Sequence, residues 1–527
     1  MSLKNLGRAA LRLVWRKMLR PLLERLPADW GARLITLAHY AKMTLAHGET
    51  LDFKTHYAPP SAPVTAPQTP VPAVGAPPAT APKSIASVLV SSRRPPPVVP
   101  DWVCAELAEL ALIEPELTPT PAFVKRFHVY RPPMVMGAAE VYAQCRRMVD
   151  ALQPDMILLV PWLVKGGADL GALHHAEAAT RAGYKVLLVA TENAESPWAS
   201  RVPEGAAFLE FGRLSHGLPA EQRMAVFARV MLDTPARVVH VINSQLGWEV
   251  VKRHGRSLTA LGMRIFASAF SDGRDENGIM WSYPRFYFAD CWKYLSGVMC
   301  DSRWYPNDLI RQYGVPARKL HTVYFPLVTD RAPLYHACDG APVLWASRIT
   351  ESKRPDLLIE IARKMPDVQF EVFGYATKAE RHFEDALRAI PNIRLCGAYD
   401  SLEEIVAKGV YSTFLYTSSW DGLPNVLLEA TAAGLPVVAS AICGVPEFIT
   451  PQSGYPVFAL DDAEAYVTTL REALDAPAER AAKWDAARAL LQSQHSMDVF
   501  LASLYTIPGY FGERVQAAPK TDRRVES

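Results

Sequence analysis

Several features are scarce in this chain, and each scarcity closes off a class of protein. There is no C-x-x-C pair: Cys104, Cys145, Cys291, Cys300, Cys338, Cys396 and Cys443 are scattered and odd in number. That pattern suits reduced thiols in a cytosolic protein, and neither a disulfide framework nor a zinc site. No apolar run reaches the ~20 residues needed to span a bilayer, so no membrane span is expected. The N-terminus lacks an unbroken apolar stretch followed by a small-residue cleavage site, so it does not read as a secretory signal. Net charge is only +2, which gives no global basic field for nucleic acid. No Asp-x-Asp pair stands in a place suited to a divalent ion.

Proline, by contrast, is abundant and unevenly placed. Between Tyr57 and Pro100 about every third residue is Pro, interleaved with Ala, Val, Ser and Thr. Such a stretch cannot bury a core and reads as a disordered or polyproline II linker over 57–100. Pro95-Pro96-Pro97 within it would also suit an aromatic groove, although a spacer is the simpler reading. Ahead of it, residues 1–56 read as an amphipathic helical tail. Arg8, Arg12, Arg16 and Arg20 share one face, Leu3, Leu11, Val14, Trp15, Met18 and Leu22 the other, and Pro21 is a kink or break. Two readings of the first 25 residues stay open: a helix lying on an anionic membrane surface, or one docking on this protein or a partner.

At 527 residues the chain is too long for one core. After two helices, Asp101–Ala111 and Gly137–Leu152, apolar strands and helices alternate as a doubly wound sheet requires. Strands are expected at Met156–Leu163, Lys185–Ala190, Ala207–Phe211, Arg237–Ile242, Met263–Ala269, Val298–Ser302 and Leu320–Phe325. A second series is expected at Pro342–Ser347, Gln369–Gly374, Asn392–Gly397, Tyr411–Thr417 and Leu435–Ser440. Ligands in such sheets bind beyond the carboxyl ends of the strands. The loops so placed carry Gly166-Gly167, His240 and Asn243, Asp272 with Asp275, Glu276 and Asn277, then Arg348 and Lys353, Gly374, and Asp421. His174 and His175 read as packing or surface residues, and His240 as a strand residue. No general base is assigned.

The densest signal runs from Ser418 to Ile449, SSWDGLPNVLLEATAAGLPVVASAICGVPEFI. Asp421 and Glu429 lie across a loop-to-helix junction. Pro424 suits the first helical position, and the helix over Val426–Ala433 stops at Gly434. Amide N–H groups at its start attract an anion. The segment resembles the Glu-x7-Glu motif of retaining family 4 glycosyltransferases, with Asp421 in place of the usual first Glu. The Gly-Leu-Pro-Asn-Val-Leu-Leu-Glu-Ala run, the Gly-Leu-Pro-Val-Val-Ala strand and the Gly-Val-Pro-Glu loop fall in the family's order. Upstream, Arg348…Lys353-Arg354-Pro355-Asp356-Leu357-Leu358-Ile359 is similar to its basic pattern, with Ser347 where Gly is usual.

The resemblance covers about residues 155–500 and implies the α/β GT-B fold: two Rossmann-like doubly wound domains facing a cleft, here behind an N-terminal helical and Pro-rich extension. It implies an acceptor-side domain over 101–326, a nucleotide-sugar domain over 327–500, and a crossover and tail over 501–527. The implied activity is transfer of a sugar, with retention, from a nucleoside-diphosphate-sugar to a glycan or lipid-linked acceptor in bacterial cell-surface polysaccharide synthesis. Arg348, Lys353 and Asp421 would be catalytic. Glu429, Gly374, Gly422, Leu423, Pro424, Asn425 and Glu447 would bind the donor, and Gly166, Gly167, Asn243 and Asp272 would line the acceptor side. Asp272 stands where the family often has His. Cations from Arg348 and Lys353 can replace a divalent ion, so no metal and no cofactor are expected. Neither is nucleic acid, and the location implied is the cytoplasm or the inner face of the cell membrane. Two rivals remain: a non-catalytic nucleotide-sugar-binding scaffold, and another GT-B enzyme such as a nucleotide-sugar epimerase.

Overall fold

A computed structural model describes residues 101–113, 115, 118–121, 136–274, 280–327 and 333–511. The basic tail, the Pro-rich linker, the loop of Asp275, Glu276 and Asn277, and the polar end beyond Phe511 lie outside the described residues. Two parallel sheets organise the rest. The first has strands β1 (Met156–Val160), β2 (Val186–Ala190), β3 (Ala206–Leu209), β4 (Val238–Ile242) and β5 (Arg264–Ser268). After a short antiparallel hairpin of β6 (Gly273–Arg274) and β7 (Met280–Trp281), it is completed by β8 (Leu295–Cys300) and β9 (Leu320–Thr322). The second sheet comprises β10 (Val343–Ala346), β11 (Phe370–Phe373), β12 (Ile393–Gly397), β13 (Thr413–Tyr416), β14 (Val437–Ser440) and β15 (Tyr455–Val457).

Strand order is 3-2-1-4-5-8-9 in the first sheet and 12-11-10-13-14-15 in the second. Chain direction across each sheet therefore reverses at one point, between β1 and β4 and between β10 and β13. A crevice opens beyond the carboxyl ends of the strands at such a reversal. All five residues of β1, β2 and β4 are buried, the signature of strands covered by helices on both faces.

Differences from the sequence expectation have local causes. Strand β1 stops at Val160, because Pro161 has no N–H to continue the ladder. Phe211, expected to end β3, opens a short helix over Phe211–Ser215. The helix expected from Val426 runs over Asn425–Ala432, with Pro424 just before it in extended conformation. Helices at Tyr283–Cys291 and Arg381–Arg388 and the strand β15 carry too short or too mixed an apolar pattern to stand out.

The C-terminal segment returns to the first domain. Met497, Phe500, Leu504, Ile507, Tyr510 and Phe511 share a core with β1, β2 and the helix Gly167–Arg181. Tyr510 reaches its centre, its hydroxyl 2.9 Å from His240 Nδ1 and 3.1 Å from His175 Nδ1. His240 Nε2 lies 2.8 Å from Ser268 Oγ, so this imidazole is a core group away from the cleft. Burial lowers the basicity of all three histidines: His174 falls to about 4, His240 to about 3, and His175 well below its usual value.

Candidate active site

In the second domain the site is laced from two loops. After β10 the chain passes Arg348, makes a single turn over Glu351–Lys353, and enters the helix Pro355–Lys364. After β13 it makes the 417–424 loop. The two are stitched by Ser419 N to Ser352 O at 2.9 Å and Thr417 Oγ1 to Lys353 O at 2.7 Å. This holds Lys353 Nζ 2.6 Å from Asp421 Oδ2, which also accepts from the Tyr416 hydroxyl at 2.8 Å. The Gly422 N–H donates to Asp421 Oδ1 at 3.1 Å. Burial pushes the Asp421 carboxyl up, but the Lys353 ammonium and these donors outweigh it and hold the carboxyl below its usual range.

Lys353 and Asp421 thus largely cancel one another's charge. Arg348, on the same loop, is exposed, and its guanidinium makes no hydrogen bond or ion pair among the described residues. It is the cation of this loop left without a counter-charge among the described residues. Arg354 is not: in left-handed conformation before the helix, it pairs with Asp356 at 3.0 Å and Asp461 at 2.5 Å. Gly374, at the end of β11, has φ +149°, and a Cβ there would lie 1.9 Å from the Ser347 carbonyl oxygen. Only glycine lets the Arg348 loop pass so close.

Glu429 lies one turn into the helix Asn425–Ala432, whose first-turn amides have no intrahelical acceptor. Its carboxyl is half-buried and pushed up by that burial, with Lys165 pulling in the other direction.

The first domain supplies the opposite wall. Gly166 precedes the helix Gly167–Arg181, and a Cβ on Gly167 would stand 3.7 Å from Asn425 Nδ2 of the second domain. The Gly166-Gly167 loop and the helix Asn425–Ala432 therefore meet. Asn243, exposed at the end of β4, holds φ +57°. Asp272 is buried and committed: Arg285 donates to it at 2.6 Å and the Tyr305 hydroxyl at 3.0 Å. It is unavailable as an open base while so paired, although its neighbour Gly273 faces Trp420 across the cleft. Beside it, Trp281 is 44% and Phe286 59% exposed, with ring centres 6.1 Å apart. Tyr287 donates to Glu249 at 3.3 Å, and Glu192 and Glu249 act on Tyr283. Rings mixed with carboxylates form a rim on this side.

Three contacts between the domains involve residues whose roles the sequence did not single out or placed elsewhere. Asp301, after β8, is buried and accepts the Leu423 N–H at 3.1 Å. Burial, with Asp421 and Glu447 nearby, pushes its carboxyl well above the usual range. Gly422 is needed for this approach, since a Cβ there would fall 2.2 Å from Asp301 Oδ2. Glu447, grouped with the donor ligands on sequence grounds, instead gives its oxygens to the first domain. It accepts from Arg303 N at 2.8 Å, Trp304 N at 3.1 Å and the Tyr324 hydroxyl at 2.5 Å. There it caps the helix Trp304–Tyr313 and ties the domains together. Lys165, passed over within its loop, donates to the carbonyl of Tyr399. A signal for Asp301 and Lys165 existed only in their position at strand ends, shared by many polar residues.

Comparison with known proteins gives this geometry a family. The profile described as "Glycosyl transferases group 1" matches residues 341–476. Residues 341–476 are a group 1 glycosyltransferase domain. A GDP-mannose-dependent monoacylated alpha-(1-6)-phosphatidylinositol monomannoside mannosyltransferase of Corynebacterium glutamicum is 29% identical over 173 residues, 31% of this chain and 45% of that protein. The lipopolysaccharide core biosynthesis glycosyltransferase LpsE of Rhizobium meliloti is 26% identical over 148 residues, 28% of this chain and 43% of that protein. The match thus takes in less than half of each of these relatives. Among solved structures, Anabaena Alr3699/HepE in complex with UDP aligns over 67% of this chain and 98% of its own, with TM-score 0.52 and 13% identity. A Rickettsia africae glycosyltransferase aligns over 66% and 95%, with TM-score 0.53 and 15% identity. The fold of this chain is GT-B.

Proposed function

We propose that this chain transfers a sugar, with retention, from a nucleoside-diphosphate-sugar to a glycan or lipid-linked acceptor, as part of bacterial surface polysaccharide synthesis. What supports the reading is the Lys353–Asp421 pair between two stitched loops, one carrying Arg348 and the other leading into the helix of Glu429, whose first residue meets Gly167. Negative charge grows on the leaving diphosphate as the glycosidic bond breaks. Arg348, the uncompensated cation, and Lys353, released in part from Asp421, would stabilise that charge together with the helix-start amides. Asp421 would then face the donor sugar's hydroxyls, and Glu429 the ribose. Arginine and lysine would do the work of a divalent ion. Gly374 and the 422–425 turn bring backbone close to the nucleotide. Asp301, Gly422 and Glu447 would hold the cleft shut, excluding the water that would hydrolyse the donor.

Support for the substrate class comes from the relatives' names, which include O-antigen, lipopolysaccharide core and phosphatidylinositol mannoside synthesis. The rim of Trp281, Phe286, Tyr283 and Glu249 suits a glycan, whose C–H faces lie on rings and whose hydroxyls meet carboxylates. No helix among the described residues is long and apolar enough to cross a membrane. The tail of residues 1–25 would then bring the chain to an anionic bilayer.

The test is turnover of labelled nucleotide-sugars with membrane lipid extract, with and without chelator. Activity indifferent to chelator and abolished by Arg348→Ala or Glu429→Ala is the expected result. Tight nucleotide binding without turnover would instead make the chain a scaffold. Deleting residues 1–50 is expected to shift the protein from membrane pellet to supernatant, and unchanged fractionation would end the bilayer reading.

A further inference from the structure

Asp301 is a carboxyl left almost without partners. It follows β8 of the first domain, is 7% exposed, and accepts one hydrogen bond, from Leu423 N of the second domain at 3.1 Å. Its Oδ1 is buried with no hydrogen-bond partner, and neither oxygen takes part in an ion pair among the described residues. The two backbones close tightly here. A Cβ at Gly422 would fall 2.2 Å from Asp301 Oδ2, and one at Gly444 would fall 2.6 Å from the Ser302 Cβ. The titratable groups around Asp301 bring no positive charge. Asp421 stands on the 417–424 loop, Cys443 and Glu447 on the loop after β14, and Cys300 and Tyr324 on the first domain. Glu447 holds an oxygen on Arg303 N at 2.8 Å, two residues from Asp301. Nearby cations face elsewhere: Lys353 donates to Asp421 at 2.6 Å, and the Arg303 guanidinium lies 5.9 Å from the centre of the Tyr324 ring.

We propose that Asp301 is a positioning residue for the reaction: it joins the Gly422–Leu423 turn as an uncharged acid, so that domain closure takes up a proton from solvent and sets the backbone beside Asp421. A buried charge with no partner costs far more than the neutral group, and like charges nearby add to that cost. The uncharged acid fits what surrounds it, with the proton on Oδ1 and Oδ2 still accepting the amide. Burial, with Asp421 and Glu447, moves the carboxyl well above its usual range, which is the same direction. When the domains part, water reaches Asp301 and the carboxyl ionises in its ordinary range. The closed arrangement then binds one proton more than the open one, so closure is favoured in acid and weakens as pH rises toward the raised value. The bearing of this on sugar transfer rests on the reading of Asp421 as the residue that meets the donor sugar.

The experiment is amide hydrogen exchange on the full chain from about pH 5 to about pH 9, read by mass on a peptide covering 420–428. Rates are divided by those of an unstructured amide at the same pH, and a peptide covering β10 serves as reference for global opening. Wild type is compared with Asp301→Asn, which keeps an acceptor for Leu423 N and cannot ionise, and with Asp301→Ala, which keeps neither. Wild-type protection should fall as pH rises, by up to about tenfold per unit, the limit for one proton. Asp301→Asn should hold its protection across the range, and Asp301→Ala should lack it even at the acid end, with the β10 peptide unchanged. If wild type shows no fall, or Asp301→Asn falls in step with it, closure carries no proton through Asp301 and the proposal is wrong. Full protection in Asp301→Ala at the acid end would equally overturn it. No donor enters this experiment, so failure of the glycosyltransfer reading in the turnover assay is a separate and recognisable outcome.

Discussion

The two walls of the cleft are built in opposite ways. On the second domain, Arg348, Lys353, Asp421 and Glu429 come from two loops stitched to one another, and most of them belong to contiguous motifs. On the first domain, Lys165, Asn243, Asp272 and Asp301 come from the ends of four different strands, and three of the four are defined by what they touch. In the proposed reading, the contiguous motif would serve the ligand part common to many enzymes, the nucleoside diphosphate. Scattered single residues can be changed one position at a time, which would suit the part that varies, the acceptor.

The largest expected effect tests the first half of that contrast. Arg348→Ala should lower kcat with donor saturating by about 10²–10³-fold, the usual cost of one charge-stabilising donor, with Arg348→Lys between. An equal loss from Asn243→Ala, read by the same steady-state assay, would erase the difference between the walls.

Acid should separate the domains next. His174, His175 and His240 are buried in the first domain with basicity lowered by burial. Their neutral forms stabilise the fold fully above the unfolded value near 6.5, and the benefit is lost as pH falls toward about 4 for His174. At ~1.4 kcal/mol per unit, His174 alone accounts for roughly 3 kcal/mol. Limited proteolysis near pH 4.5 is expected to cut within 136–325 before 343–475, and the reverse order would contradict this.

Gly422→Ala is expected to cost about 1–3 kcal/mol in a denaturant melt, the usual price of overpacking, because its Cβ would meet Asp301 Oδ2. Adding Asp301→Ala should return part of that loss, and strict additivity would mean the clash is not felt. Smallest of all, Trp281→Ala should raise the acceptor's KM roughly fivefold, about 1 kcal/mol of ring contact, while the donor's KM stays put. A shift in the donor's KM would place the rim on the wrong substrate.

Legibility followed the same divide. The sheet strands from Met156 to Ser440 could be read because buried parallel strands are unbroken apolar runs, and the errors fell where Pro161 or a three-residue strand such as Tyr455–Val457 interrupts the pattern. Asp421 and Glu429 could be read because a loop and its following helix keep fixed spacing. Glu447 was grouped with the donor ligands, and its contacts across the domains could not be read, since the amides of Arg303 and Trp304 lie far away in sequence.

By itself the sequence determined local things: strand and helix alternation, the glycine turns, the charges on each loop, and the motif of the second domain. Only the tertiary structure decided which charges meet. It left Arg348 open while Lys353 was taken by Asp421, closed Asp272 with Arg285, turned Glu447 into a clasp and sent Lys165 to the Tyr399 carbonyl. The reason is physical: backbone preference and apolar periodicity act over a few residues, whereas electrostatic pairing depends on distance in space, and the fold alone sets that distance.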